Sequence, residues 1–168
     1  MRIVVSDSSC LIDLRKASLL DAFLCLPYEF LIPNTLFDEE LLTFTSAEKK
    51  ALVHAGLKVV DLPGANVLQA VALMRSAPRL SMHDSFAFAL AEMHPGCVLL
   101  TGDGDLRKLA ELRKMDVHGV LWVLDELHRN KVSTTGVLRA AVEVFSTDAT
   151  VRLPRREIAV YLKRFTKG

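Results

Sequence analysis

Along the chain, short continuous apolar runs alternate with segments whose apolar residues return every three to four positions. The runs at residues 2–6, 29–32, 57–61 and 97–101, with a weaker one at 117–120, are rich in Val, Ile and Leu. Strands that are apolar on both faces and separated by helical patterns belong to a parallel sheet covered by helices. In the first intervening segment, residues 9–26, Leu11, Leu14, Leu19, Leu20, Phe23 and Leu24 follow a near-helical spacing, with a bend expected at Ala17 and Ser18. Asn34 or Thr35 can cap a helix running to about Phe44, and Ser46 caps another with Glu48 in its first turn. A stripe of Val67, Ala70, Val71 and Met74 follows Pro63 and Gly64. Ser81 then opens a helix bearing Phe86, Ala87, Leu90 and Ala91, which His94, Pro95 and Gly96 terminate. Asp103 or Gly104 opens the next, and helices over 121–129, 135–145 and 154–165 close the chain. The pattern predicts the α/β class, with a domain over residues 1–130 and a helical C-terminal extension over 131–168 packed on or beside it.

Composition narrows the class further. A chain of 168 residues with 51% hydrophobic side chains can bury a real core. That excludes a disordered tail, a collagen-like fibre and a small disulfide scaffold. The formal charge of +1 argues against a protein that coats nucleic acid non-specifically, because such binding scales with the phosphates neutralised. The charge is unevenly placed: residues 152–168 carry +5, leaving −4 for the rest. A basic tail on an acidic body is either a nucleic-acid or partner contact or a solvated helix face. Cys10, Cys25 and Cys97 form no metal or disulfide spacing and are expected as buried thiols in a reducing compartment. The apolar run after Arg2 is too short for a signal-peptide core. The longest uncharged stretch, 62–74, falls short of the roughly 18 residues of a membrane span. A soluble, cytoplasmic protein is expected.

The candidate chemistry lies in the carboxylates. Asp7 follows the first strand, and Asp103 follows Val98, Leu99, Leu100 and Thr101, so parallel neighbouring strands would bring both acids to one carboxyl edge of the sheet. Taken singly, each is equally a helix or turn cap. Asp84, three residues after Ser81, reads either as half of a capping box or as a third acid of a site. Asp38, Glu39 and Glu40 follow Ile32 and Pro33. With Leu36 facing the core, both Glu39 and Glu40 lie near the inward face while Asp38 points away. Several carboxylates without a partnered lysine, cysteine or nucleophilic serine suit hard divalent cations such as Mg²⁺ or Mn²⁺, which bind oxygen and share positions with substrate phosphate. Competing motifs are missing: there is no G-x-x-x-x-G-K-[ST], no G-x-G-x-x-G after the first strand, no H-E-x-x-H and no G-x-S-x-G. Ser9 stands where a dehalogenase-type phosphotransferase would need its second Asp.

These motifs together resemble the PIN-domain nucleases, including the VapC-type toxin ribonucleases of toxin–antitoxin pairs. Ile3 through Ser9 is similar to the first strand, acid and following Ser/Thr of that family. Ile32 through Glu39 is similar to its second motif, Leu80 through Ala91 to its third, and Thr101-Gly102-Asp103-Gly104-Asp105 to its T-x-D-x-D fourth. Gly119 through Leu124 matches one branch of these proteins. The resemblance implies a three-layer α/β/α fold with a mainly parallel sheet, and metal-dependent endonucleolytic cleavage of RNA. It implies Asp7, Glu39, Asp84 and Asp103 as the catalytic acids, with Asp7, Asp84, Asp103 and Asp105 as ligands of Mg²⁺ or Mn²⁺. Ser9 and Thr101 would orient carboxylates or water, and a shift of register would put Glu40 or Asp38 in place of Glu39. Arg107, Lys108, Arg155 and Arg156 are candidates to engage the RNA backbone, with Arg15 and Lys16 behind them. An antitoxin protein and a second copy of the chain are the implied partners. A catalytically silent PIN-like module that binds RNA or protein is the alternative.

Overall fold

Val4 and Val5 are fully buried in the middle of the sheet, which is why the first strand can be apolar on both faces. In the computed structural model, which describes residues 1–166, the strands are β1 (Arg2–Ser6), β2 (Tyr28–Pro33), β3 (Lys58–Val60), β4 (Val98–Leu100) and β5 (Asp116–His118). Lys167 of the basic tail lies outside the described residues. The sheet order is β3-β2-β1-β4-β5 and every pairing is parallel. The chain therefore winds outward from β1 to β3 and returns on the other side of β1 as β4. That reversal leaves a crevice at the carboxyl ends of β1 and β4, where open α/β sheets place their ligands.

The helices are α1 (Ser8–Lys16), α2 (Leu20–Leu24), α3 (Asn34–Glu39), α4 (Ser46–His54), α5 (Gly64–Ser76), α6 (Met82–Glu92), α7 (Gly104–Leu112), α8 (Val120–Arg129), α9 (Thr135–Thr147) and α10 (Arg155–Thr166). Helix α6 is buried continuously from Ser85 to Ala91 and lies across β1, β2 and β4, flanked by α5 and α7. Helices α1, α2 and α8 pack together on the opposite face, as right-handed crossovers require. The result is a three-layer α/β/α fold.

Local boundaries differ from the sequence expectation in several places. Pro33, not Asn34 or Thr35, is the N-cap of α3, and the weak run at 117–120 is divided between β5, which ends at His118, and α8, which begins at Val120. The helix expected over 9–26 is two helices, parted where Ser18 takes a φ of 57°. The helix expected to reach Phe44 stops at Glu39, because the buried Leu41 and Phe44 turn inward through a tight bend closed by the Phe44 N–H on the Leu41 carbonyl (3.2 Å). Thr45, not Ser46, caps α4 in a reciprocal box with Glu48. Cys10 and Cys97 are buried as expected, but Cys25 is exposed at the end of α2.

The C-terminal helices share the central core. Leu138, Val142, Phe145, Ile158 and Phe165 belong to the same buried cluster as the strands. Asp125 of α8 accepts a hydrogen bond from the Tyr161 hydroxyl (2.6 Å) and pairs with Arg164, pinning α10 to α8. Truncating a fully buried aromatic leaves a cavity costing about 3–5 kcal/mol. Phe145→Ala is therefore expected to lower the unfolding free energy by about that amount. Chemical denaturation followed both by circular dichroism and by Trp122 fluorescence should show one coincident transition. Separate transitions would mean that α9 and α10 unfold independently.

Candidate active site

At the carboxyl edge of β1 the chain buries a carboxylate. The Asp7 N–H continues the ladder to the Leu100 carbonyl (2.9 Å), and Thr101 continues β4 beside it. Asp7 is only 4% exposed. Its Oδ2 accepts from the Thr101 hydroxyl (2.5 Å), and its Oδ1 accepts from the Ser9 hydroxyl (2.7 Å) and, as the N-cap of α1, from the Cys10 N–H (3.2 Å). Ser9 in turn accepts from the Gly102 N–H (3.1 Å). A Cβ at Gly102 would stand 3.2 Å from that hydroxyl, so the close approach of the two loops favours glycine.

The other acids arrive as helix caps. Asp103 caps α7 by accepting the Leu106 N–H on Oδ1 (2.8 Å). Asp84 forms a capping box with Ser81, accepting the Ser81 N–H on Oδ2 (3.2 Å). Glu40, at the end of α3, accepts from the Ser8 hydroxyl (2.6 Å). Capping does not take these groups out of the crevice: Asp7, Glu40, Asp84 and Asp103 all line one cleft of about 360 Å³.

The remaining residues singled out from sequence are distributed as follows. Ser9 lines the cleft and Thr101 is buried behind Asp7. Glu39 is turned outward, its side chain 60% exposed and bonded to His83 Nε2 (2.7 Å). Asp105 and Lys108 line a separate apolar groove with Leu80 and Leu112. Arg107 lies against the backbone of Gly119, where an added Cβ would meet its Nη2 at 2.7 Å. Arg155 and Arg156 are exposed on the first turn of α10 and do not line the cleft. Lys16, a lesser candidate from sequence, does line the cleft, together with Ser8, Asp13, Thr150 and Arg152. Asp13 is visible in retrospect as the residue one turn beyond Ser9 on the same face of α1. Thr150 carries no local signal, and Arg152 none beyond its place in the basic tail.

Crowded acids shape the electrostatics. Burial pushes the Asp7 carboxyl up to about 6, against the pull of its hydrogen bonds from Thr101, Ser9 and Cys10, and the charge of Asp84 adds to the rise. Burial also raises Asp84, assisted by the charges of Asp103 and Glu40 and opposed by its bonds to Ser81. Asp13 is lifted to about 6 by burial, with Lys16 opposing. The donors facing the cleft are carboxylates and hydroxyls, with no thiol or imidazole among its lining, a set that fits a hard divalent cation. Among the described residues no three Asp, Glu, His or Cys side chains are already drawn into one ligand group. The fit therefore rests on donor type and on lone pairs left over: Asp84 Oδ1 and Asp103 Oδ2 carry no hydrogen bond from the described residues.

A family model for a PIN domain matches residues 3–167, and so runs through the C-terminal helices. No curated protein matches the chain.

Holding Asp7 ionised out of water costs stability. A rise from the ordinary 3.8 to about 6 corresponds to about 3 kcal/mol between its charged and neutral forms. The penalty is absent below the unfolded value, where both states are protonated, grows as pH rises through the interval, and is complete above about 6. Asp7→Asn is thus expected to raise the unfolding free energy at pH 7.5 by about 1–3 kcal/mol, with the gain vanishing near pH 3.5. Denaturation of both proteins across this pH range, without added metal, measures it.

Proposed function

The chain belongs to the PIN-domain family, a nuclease-type family, and on that premise we propose that it is a Mg²⁺- or Mn²⁺-dependent endoribonuclease acting through the acidic cleft between the ends of β1 and β4. The observation that carries this reading is the convergence of Asp7, Glu40, Asp84 and Asp103, from four separate segments, on one cleft at the switch point of a parallel sheet. Asp84 and Asp103, with Asp7 and Glu40 beside them, would hold the ion, and Asp105 would act from outside the cleft. A bound ion of this kind makes its water more acidic and stabilises charge on a phosphate and its leaving oxygen. The protein's own contribution is positioning. Thr101 and Ser9 fix both oxygens of Asp7 so that its carboxylate cannot rotate. Ser8 holds Glu40 Oε1, and the Ser81 and Leu106 N–H groups each occupy one oxygen of Asp84 and Asp103, leaving the other for the cleft. Glu39 acts one step away, by holding the ring of His83, whose Nδ1 stands 3.6 Å from Glu40 Oε2.

The reading extends to the toxin of a toxin–antitoxin pair, working in the cytoplasm as a homodimer with an antitoxin protein as partner. All three cysteines are free, the state a reducing compartment maintains, and no helix among the described residues is long and apolar enough to cross a membrane. Leu112 is 81% exposed beside the apolar groove of Leu80 and Leu109, which supports a protein-covered face. A second reading, a silent module that binds RNA, is favoured by the engagement of Asp84 and Asp103 as caps and by the lack of a drawn-together ligand group among the described residues.

Cleavage separates the two. The wild type is expected to cut single-stranded RNA with Mn²⁺ and not with chelator, and Asp84→Asn to lower kcat on the order of 10²-fold or more. Mn²⁺ should raise the melting temperature of the wild type and not that of an Asp84→Asn/Asp103→Asn double variant. RNA that stays intact while bound identifies the silent module. RNA left intact while a small phosphate ester is hydrolysed identifies a phosphohydrolase.

A further inference from the structure

We infer that the loop between α9 and α10 supplies the RNA-backbone contact of the cleft, with Arg152 holding a phosphate adjacent to the scissile one; the inference rests on the nuclease reading above. The cleft follows one face of α1, on which Ser9, Asp13 and Lys16 succeed one another at helical spacing. Ser9 belongs to the acidic end, and Lys16 lies about 10 Å further along the helix axis. At that far end the chain returns: Thr150 and Arg152, more than a hundred residues later, line the same cleft.

The loop is built to hold its place. Val151 is buried and donates its N–H to the Asp148 carbonyl (3.1 Å), while Asp148 Oδ1 accepts from the Thr150 N–H (2.9 Å) and hydroxyl (2.5 Å). Lys16 is committed to this loop, bonded to the Thr150 hydroxyl and 3.7 Å from Asp148 Oδ2. Arg152 is not committed: it makes no ion pair or hydrogen bond among the described residues, although five carboxylates line the cleft it faces. A polyanion entering so acidic a cleft needs a fixed positive charge away from the reacting phosphate. A guanidinium with five unused donors is suited to one phosphate group.

A grip on a remote phosphate strengthens ground state and transition state alike, so its loss should appear in KM rather than kcat. With full-length protein, Mn²⁺ and a labelled single-stranded RNA oligonucleotide, Arg152→Ala is expected to raise KM about tenfold. In an Asp84→Asn background it should lower the slope of log affinity against log salt by about 0.7, the share of one phosphate contact on a single strand. Arg152→Glu should lose more than Arg152→Ala, and because the side chain is exposed both should melt with the wild type. Wild-type cleavage with KM and salt slope unchanged in Arg152→Ala overturns the inference and leaves the nuclease reading standing. An equal loss of slope in Arg155→Ala also overturns it, since the tail would then act as a diffuse charge. A wild type that cleaves no RNA overturns both.

Discussion

The site depends on a carboxylate held out of water where two neighbouring strands end. Asp7 is buried because β1 is the middle strand of the sheet, with β2 on one side and β4 on the other. Its burial is tolerable because Thr101, Ser9 and the Cys10 N–H satisfy it from three directions. The same bonds join the end of β1 to the end of β4 and draw the Gly102 loop over the start of α1. Asp103 also donates its N–H to the Thr101 hydroxyl (3.0 Å). The hydroxyl that restrains Asp7 thus sets the entry to α7 and the position of the next acid.

The cost of gathering like charges is offset by the helices that present them. Asp7 and Asp103 are N-caps and Asp84 lies in the first turn of α6, so three helix N-termini are directed at the acids. Partial positive charge at a helix N-terminus favours an anion there. Each acid answers N–H groups that would otherwise lack partners, which ties the stability of α1, α6 and α7 to the residues that line the cleft. Asp84 and Asp103 were ambiguous in sequence between cap and site. The ambiguity has a physical origin: in this topology the place where helices need caps is the place where the crevice opens.

What was legible in the sequence follows from the range of the interaction. β1, β2 and β4 were readable because burial on both faces leaves continuous apolar runs. Asp7 and Asp103 were readable because they follow such runs directly. The second-motif acid was not: α3 has six residues and ends at Glu39, so periodicity could not choose between Glu39, now bonded to His83, and Glu40, which turns into the cleft. Leu41 and Phe44 kept helical spacing while lying in a bend, which made α3 look longer than it is. The least legible residues were those fixed by distant packing. Nothing near Arg152 in the sequence indicates that it faces residues around Asp7, and the equally basic Arg155 and Arg156, three and four residues later, do not line that cleft.

The position of Arg152 can nonetheless be traced through the fold one contact at a time. Thr101 at the end of β4 bonds the His118 carbonyl of β5, which leads directly into α8. On α8, Asp125 holds Tyr161 and Arg164, while His128 meets Phe165 edge to face with ring centres 5.8 Å apart. α10 is thereby fixed against α8, and α9 packs on α10. Their connecting loop has little freedom left once Val151 is buried and Lys16 of α1 reaches Asp148 and Thr150. The acidic body and the basic tail meet at this point. Most of the tail's charge stays on the exposed face of α10, but Arg152 is carried back to the helix that Asp7 caps. On the proposed reading, a C-terminal segment at one end of the cleft would set which phosphates can lie there, while the acids at the other end would act on the one between them.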